Sequence, residues 1–273
     1  MTPVTSENYY SPEMSVEYMG ATQYKEFCKC EARALAIANG TYTPPSTKAL
    51  LMGSYVDAYY SGELQQFAKE HPEILKKDGS LKSDYTFCND IIFRMQKDRL
   101  YSLLMSGRKQ VIKTGMIAGV PFKIKIDSLI DADTCEQIAR EFPKAADHLG
   151  MLDGAIVDQK VMADISRKWS DDEGTYVPFP TAYGYDIQGA IYQAVEGNFL
   201  PFILAVGTKQ KEPDIIALHI PNDVLQEKLY EIEDNAPRFQ AIKCGKIEPR
   251  RCEKCEYCRM TRKLDKIYDY REI

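Results

Sequence analysis

The chain has 273 residues, 40 acidic against 35 basic side chains, a net charge of −5 and 44% apolar residues. That length allows one large core or two small ones, and the charge argues against a chain-wide grip on nucleic acid while leaving room for a local basic groove. No run of about 18 apolar residues offers a membrane span. The polar start MTPVTSENYYSPEMS lacks a basic-then-apolar leader, so a cytoplasmic location and no membrane partner are expected.

Residues 1–20 read as an extended N-terminal arm, and 21–273 as a single domain closed by a cysteine-rich tail. Residues 21–40 place Tyr24, Phe27, Ala34 and Leu35 on one apolar helical face, with Gly40 as the stop. TYTPPS is a turn or linker. Residues 47–71 form a second helical stretch with Leu51, Tyr55 and Tyr59 four apart. Asp57 lies between the tyrosines, either as a carboxylate aimed at a cation or as a solvated position. A third helix is expected over residues 85–106.

After Gly107 the pattern alternates, which predicts strands over 109–131 with turns at Gly115 and Gly119. Alternation puts Phe122, Ile124 and Ile126 on one face and Lys123, Lys125 and Asp127 on the other. Residues 134–152 read as an inserted helix or loop. In the strand GAIVDQKVM, Asp158 and Lys160 share one side and Val157 and Val161 the other. Charges flanked by Ile156, Val157 and Val161 are costly in a half-buried sheet unless paired or bound to metal. Two neighbouring strands would bring two carboxylates and an ammonium to one spot, which suits a hard divalent cation holding water against a phosphodiester. A salt bridge with Asp127 on an edge strand is the alternative, and D-x-K alone is a weak signal in so charged a chain.

Residues 164–183, rich in Ser, Asp, Gly and Pro, read as a loop. On it, Arg167, Lys168 and Trp169 could hold a terminal phosphate or stack on an end base, or be ordinary loop residues. A helix follows over 185–197, with Gln188 and Tyr192 four apart on one face. This pair could meet substrate, or simply pack the helix on the sheet. Two more strands, at 199–208 and 214–221, precede a charged helix from Asp223 to about Ile242. Helices flanking a small mixed sheet define an α/β protein.

His71, His148 and His219 share no motif, which argues against a histidine triad or histidine zinc site. Of eight cysteines, Cys28 and Cys30 lie early, Cys88 and Cys135 stand alone, and Cys244 precedes the C-x₂-C-x₂-C run Cys252, Cys255, Cys258. In a reducing compartment the terminal group reads as metal ligands, zinc with Cys244 included, or as free thiols.

Taken in order, these pieces resemble the PD-(D/E)xK nuclease superfamily, in its RecB-like branch, with phage recombination exonucleases of the RecE type nearest. The resemblance rests on Phe27 with Cys30, Gly53 with Asp57, Asp127, Asp158 with Lys160, and Gln188 with Tyr192, and spans about Tyr24 to Cys258. Asp57 stands where the family carries histidine, and the Asp127–Asp158 interval is long. The resemblance implies a restriction-endonuclease-like core, a central mixed β-sheet flanked by helices. It implies Mg²⁺- or Mn²⁺-dependent hydrolysis of DNA from the ends of linear duplexes, in phage or prophage recombination. By it, Asp127, Asp158, the Gln159 carbonyl and Asp57 would hold the metal, Lys160 would act on the attacking water or the transition state, and Gln188 and Tyr192 would buttress the site. It also implies a homo-oligomer, a single-strand annealing partner, and a 4Fe–4S cluster on Cys30, Cys252, Cys255 and Cys258. Two other readings compete: a non-catalytic DNA-end-binding protein that keeps the nuclease fold, and a metal-dependent phosphoesterase on a small substrate.

Overall fold

The computed structural model describes residues 2–149, 153–171, 173–264, 266–267 and 269–272. Seven strands appear among them: β1 (Arg108–Ile117), β2 (Val120–Asp131), β3 (Gly154–Met162), β4 (Lys168–Ser170), β5 (Thr175–Val177), β6 (Phe202–Thr208) and β7 (Ile215–Ile220). Five make a mixed sheet in the order β1-β2-β3-β6-β7, and β4 and β5 form a separate hairpin. Only the β3–β6 pair is parallel. A parallel neighbour demands a long crossover, and residues 163–201 supply it.

The helices are α1 (Pro12–Glu17), α2 (Ala21–Lys29), α3 (Glu31–Ala38), α4 (Lys48–Ser61), α5 (Leu64–Glu70), α6 (Ser83–Gln96), α7 (Arg99–Leu104), α8 (Ala132–Glu141), α9 (Pro143–Leu149), α10 (Phe179–Ala182), α11 (Tyr185–Glu196), α12 (Asn222–Lys243) and α13 (Glu256–Met260). They cover the sheet on both sides. Residues of α2, α11 and α12 pack with Phe202, Leu204 and Val206, while α4, α6 and α7 pack with Ile203 and Ala205. Because both faces are covered, every residue of β6 is buried, and its sequence FILAVGT is a continuous apolar run rather than an alternating one. Gly189 lets α11 lie close on this sheet: a Cβ there would stand 2.7 Å from the Phe202 ring and 2.8 Å from Leu225.

The α/β sheet flanked by helices matches the sequence expectation, but several elements differ. The helix expected over 21–40 breaks at Cys30, whose extended backbone turns its thiol toward Cys258. The stretch 47–71 splits at Gly62, a left-handed cap after α4, and the helix over 85–106 divides where Asp98 caps α7. Gly115 is not a turn; β1 runs through it, close against Val195 of α11, and the turn falls at Ala118 and Gly119. The expected loop 164–183 contains the β4–β5 hairpin and α10. The insertion is compact, folding into α8 and α9; its end at residues 150–152 lies outside the described residues.

Residues 2–20, expected as an extended arm, are docked. Tyr9, Met14, Tyr18 and Met19 are buried, because β3 pairs with β2 only over residues 128–131 of β2. The rest of that β2 edge is open, and Met19 bonds to it through Pro121 O (2.8 Å) and Lys123 N (3.0 Å). An unpaired strand edge is a ready acceptor of such a segment.

Candidate active site

The splay between β2 and β3 makes the site. The ladder ends at Ser128↔Val157, so Asp127 and Asp158 are the first residues beyond the last pair, one on each strand. There the Gln159 N–H donates to Asp127 Oδ2 at 2.9 Å, a side-chain carboxylate standing where a ladder carbonyl would be. A cleft of about 1340 Å³ opens at this point, lined by Asp57, Asp127, Asp158, Lys160, Lys125 and Gln188 among others. The 30 residues between the two aspartates therefore do not separate them.

Asp158 is 1% exposed. Its Oδ1 accepts from Gln188 Nε2 at 2.6 Å, and its Oδ2 touches the Lys160 ammonium without accepting a hydrogen bond of normal geometry. Burial would lower the Lys160 pKa, but Asp158 and Asp127 outweigh it and hold the ammonium above its ordinary value. Asp127 is pushed up to about 7, first by burial and then by Asp158, with Lys160 opposing. Asp57, half-buried on α4, is also raised by burial, opposed by Lys125 and Lys160. Three carboxylates thus converge here, and the buried Asp158 Oδ2 has only the Lys160 ammonium beside it. The oxygen-only donor set fits a hard divalent cation. Asp127, Asp158, Asp57 and the Gln159 carbonyl could hold it.

The remaining expected residues divide. Gln188 and Tyr192 are at the site through one turn of α11: Gln188 holds Asp158, and the Tyr192 hydroxyl donates to the Lys125 carbonyl of β2 at 3.0 Å. Arg167, Lys168 and Trp169 do not line the cleft. They close their own hairpin: Arg167 bonds the Tyr176 carbonyl, Lys168 pairs with Asp164 at 2.7 Å, and Trp169 Nε1 donates to Asp171 at 2.9 Å.

Other residues of the cleft carry no sequence motif. Tyr185 places its ring 5.3 Å from Lys160 Nζ; its position three before Gln188, on the same helical face, was the available signal. Tyr9 and Tyr10 reach the cleft only because the N-terminal segment docks, and no local pattern announces that.

A second constellation lies away from the cleft. The thiols of Cys30, Cys252, Cys255 and Cys258 all fall within 4.8 Å of one another, so the break at Cys30 joins α3 to the tail. Cys244 is exposed and outside the four. The Sγ separations of 3.6 Å (Cys30–Cys258) and 3.9 Å (Cys252–Cys258) match the roughly 3.8 Å edge of a tetrahedron with metal–sulfur bonds of about 2.3 Å. Burial opposes ionisation of Cys252, yet backbone N–H groups of Cys255 and Lys254 bring its pKa down to about 6. Burial keeps the Cys30, Cys255 and Cys258 thiols above their ordinary value, so it is the convergence of four sulfurs that fits a bound metal.

A mixed sheet splayed at two aspartates, with a D-x-K strand and a Q-x-x-x-Y helix behind it, defines a PD-(D/E)xK nuclease fold. The chain belongs to the family described as "PDDEXK-like domain of unknown function (DUF3799)", whose model matches residues 20–138 and 141–261. It is similar to a crystal structure named "Putative exonuclease" from Eubacterium rectale, with 41% identity, a TM-score of 0.87, and coverage of 100% of this chain and 98% of that one. No curated protein matches it. The superfamily resemblance and the fold read from the sequence therefore stand, and the protein is of nuclease type. Nucleases of this fold generally use divalent metals. No helix of the described residues is long and apolar enough to cross a membrane.

Proposed function

We propose that this chain is a Mg²⁺- or Mn²⁺-dependent deoxyribonuclease that degrades linear duplex DNA from its ends, in phage or prophage recombination. The observation that carries the reading is the meeting of Asp127, Asp158 and Lys160 just beyond the last β2–β3 pair. Asp127 and Asp158, with the Gln159 carbonyl and Asp57, would hold the cation, which would supply acidification of a bound water and neutralisation of charge on the phosphoryl oxygens. Lys160, kept protonated by its carboxylates, is placed where negative charge develops during displacement. Gln188 fixes the Asp158 carboxylate, and Tyr192 fixes β2 through the Lys125 carbonyl. Lys125 continues the same β2 face into the cleft, as a cation for a neighbouring phosphate, while the buried Lys123 is taken up by the Tyr9 carbonyl. Homo-oligomerisation, a single-strand annealing partner and a cytoplasmic location complete the proposal.

The four thiols hold a structural metal in this reading. Their spacing favours a single tetrahedral ion over the 4Fe–4S cluster of the resemblance; a brown purified protein would reverse that preference.

The test is labelled linear duplex with Mg²⁺ against closed circular DNA, using wild type, Asp158→Ala and Lys160→Ala. Loss of linear DNA alone, abolished in both folded variants, is expected. Full activity in either variant refutes the mechanism. A gel shift without loss selects a non-catalytic end binder, and inertness towards both DNAs selects a small-substrate phosphoesterase.

A further inference from the structure

We infer that Tyr10 and Tyr183 are base-stacking positions, which take one unpaired DNA strand on both sides of the phosphodiester held at Asp127 and Asp158. The inference rests on the nuclease reading for the phosphodiester, but its rings and cations stand on their own geometry.

Both residues are exposed, Tyr10 by 74% and Tyr183 by 44%, although each lines the cleft. Each is the outer member of an aromatic pair whose inner ring is anchored beside a cleft lysine. Tyr9 is buried with its ring 4.8 Å from Lys123 Nζ; Tyr10 packs edge-on against it at 4.9 Å, its own ring 4.7 Å from Lys125 Nζ. On the other strand side, Tyr185 lies 5.3 Å from both Lys160 and Lys25 Nζ, and Tyr183 stacks on it at 5.9 Å and 26°.

The backbone is built for the second pair. Gly184 between the two tyrosines has φ +63°, and a Cβ there would come 2.8 Å from Lys25 Cδ. The left-handed residue lets two rings two positions apart turn to the same side. Lys25 Nζ in turn donates to the Tyr183 carbonyl at 3.4 Å.

An exposed ring beside an ammonium matches the two demands of a single strand, a π-face for each base and a cation for each phosphate. Paired bases inside a duplex are stacked on one another and offer no free face, so beyond an end pair the rings favour unpaired nucleotides.

The test uses the full chain with Tyr10→Ala, Tyr183→Ala, Tyr10→Phe and Tyr183→Phe. A short single-stranded oligonucleotide carrying 2-aminopurine is titrated into protein in EDTA, where nothing is cut, and its fluorescence reports stacking. Wild type is expected to quench the probe. Each Ala variant should bind about tenfold more weakly and lose quenching, while each Phe variant should match wild type. On tailed duplexes with Mg²⁺, the Ala variants should raise KM about tenfold with kcat little changed. Ala variants that bind and quench like wild type, or Phe variants as weak as Ala, overturn the inference. Thermal melting of all four keeps misfolding separate. Quenching by a wild type that never cuts DNA would fail the nuclease reading alone; cutting with unaffected Ala variants would fail this inference alone.

Discussion

Gln188→Ala tests how far the site depends on a residue that need not touch substrate. The amide donates to Asp158 Oδ1 at 2.6 Å inside a setting that is 1% exposed, and the other oxygen has only the Lys160 ammonium. A hydrogen bond to a charged group contributes about 1.5–3 kcal/mol, and no water takes over freely at a buried carboxylate. Truncation should therefore destabilise the metal-free protein by about 2–3 kcal/mol, a fall in melting temperature of about 4–12 °C in a chain of this size. It should also let Asp158 turn, weakening metal binding or activity about 10–100-fold, as loss of such outer partners does elsewhere. Scanning fluorimetry in EDTA gives the first number, and Mg²⁺ titration of hydrolysis the second. Gln188→Glu should be worse than Ala near neutral pH, since it sets a second carboxylate against Asp158. A Gln188→Ala protein that melts with wild type and needs no more Mg²⁺ would refute the reasoning.

Two further outcomes follow from groups away from the cleft. Glu196 is buried beside Lys113 Nζ at 2.7 Å and accepts from the Asn198 N–H at 2.9 Å; burial raises its pKa, but these partners outweigh it and hold the carboxyl below its ordinary range. Its stabilising contribution is thus complete above the unfolded glutamate value of about 4.3 and lost as pH falls through the lower folded value. Wild-type melting temperature should drop more steeply than that of Glu196→Gln below about pH 4.3; parallel profiles would exclude the pair as the cause. Cys258, with no exposure, sits among the four clustered thiols. Cys258→Ser should purify without metal and melt lower, because a structural site contributes folding free energy directly. Metal analysis showing a metal-free wild type of equal stability would count against it.

The covalent order of the chain determined the strands and what each face of them carries. Period-two alternation is a local property, so Asp127, Asp158 and Lys160 could be assigned to sides of their strands without any tertiary contact. The four-residue spacing of Gln188 and Tyr192 likewise put them on one helical face. That Gln188 grips Asp158 while Tyr192 grips a backbone carbonyl was beyond its reach, since both partners lie 30 or more residues away. The helix break at Cys30 escaped for a related reason: its thiol meets one 228 residues away. The break at Asp98 is different, a local cap in which Asp98 accepts from the Tyr101 N–H, and Asp is a helix-start residue readable in the sequence. Where β2 and β3 part, and which segment fills the open edge, is set by long-range packing. Those depend on how α8, α9 and the N-terminal residues pack, a global balance of burial against backbone pairing that no local pattern encodes.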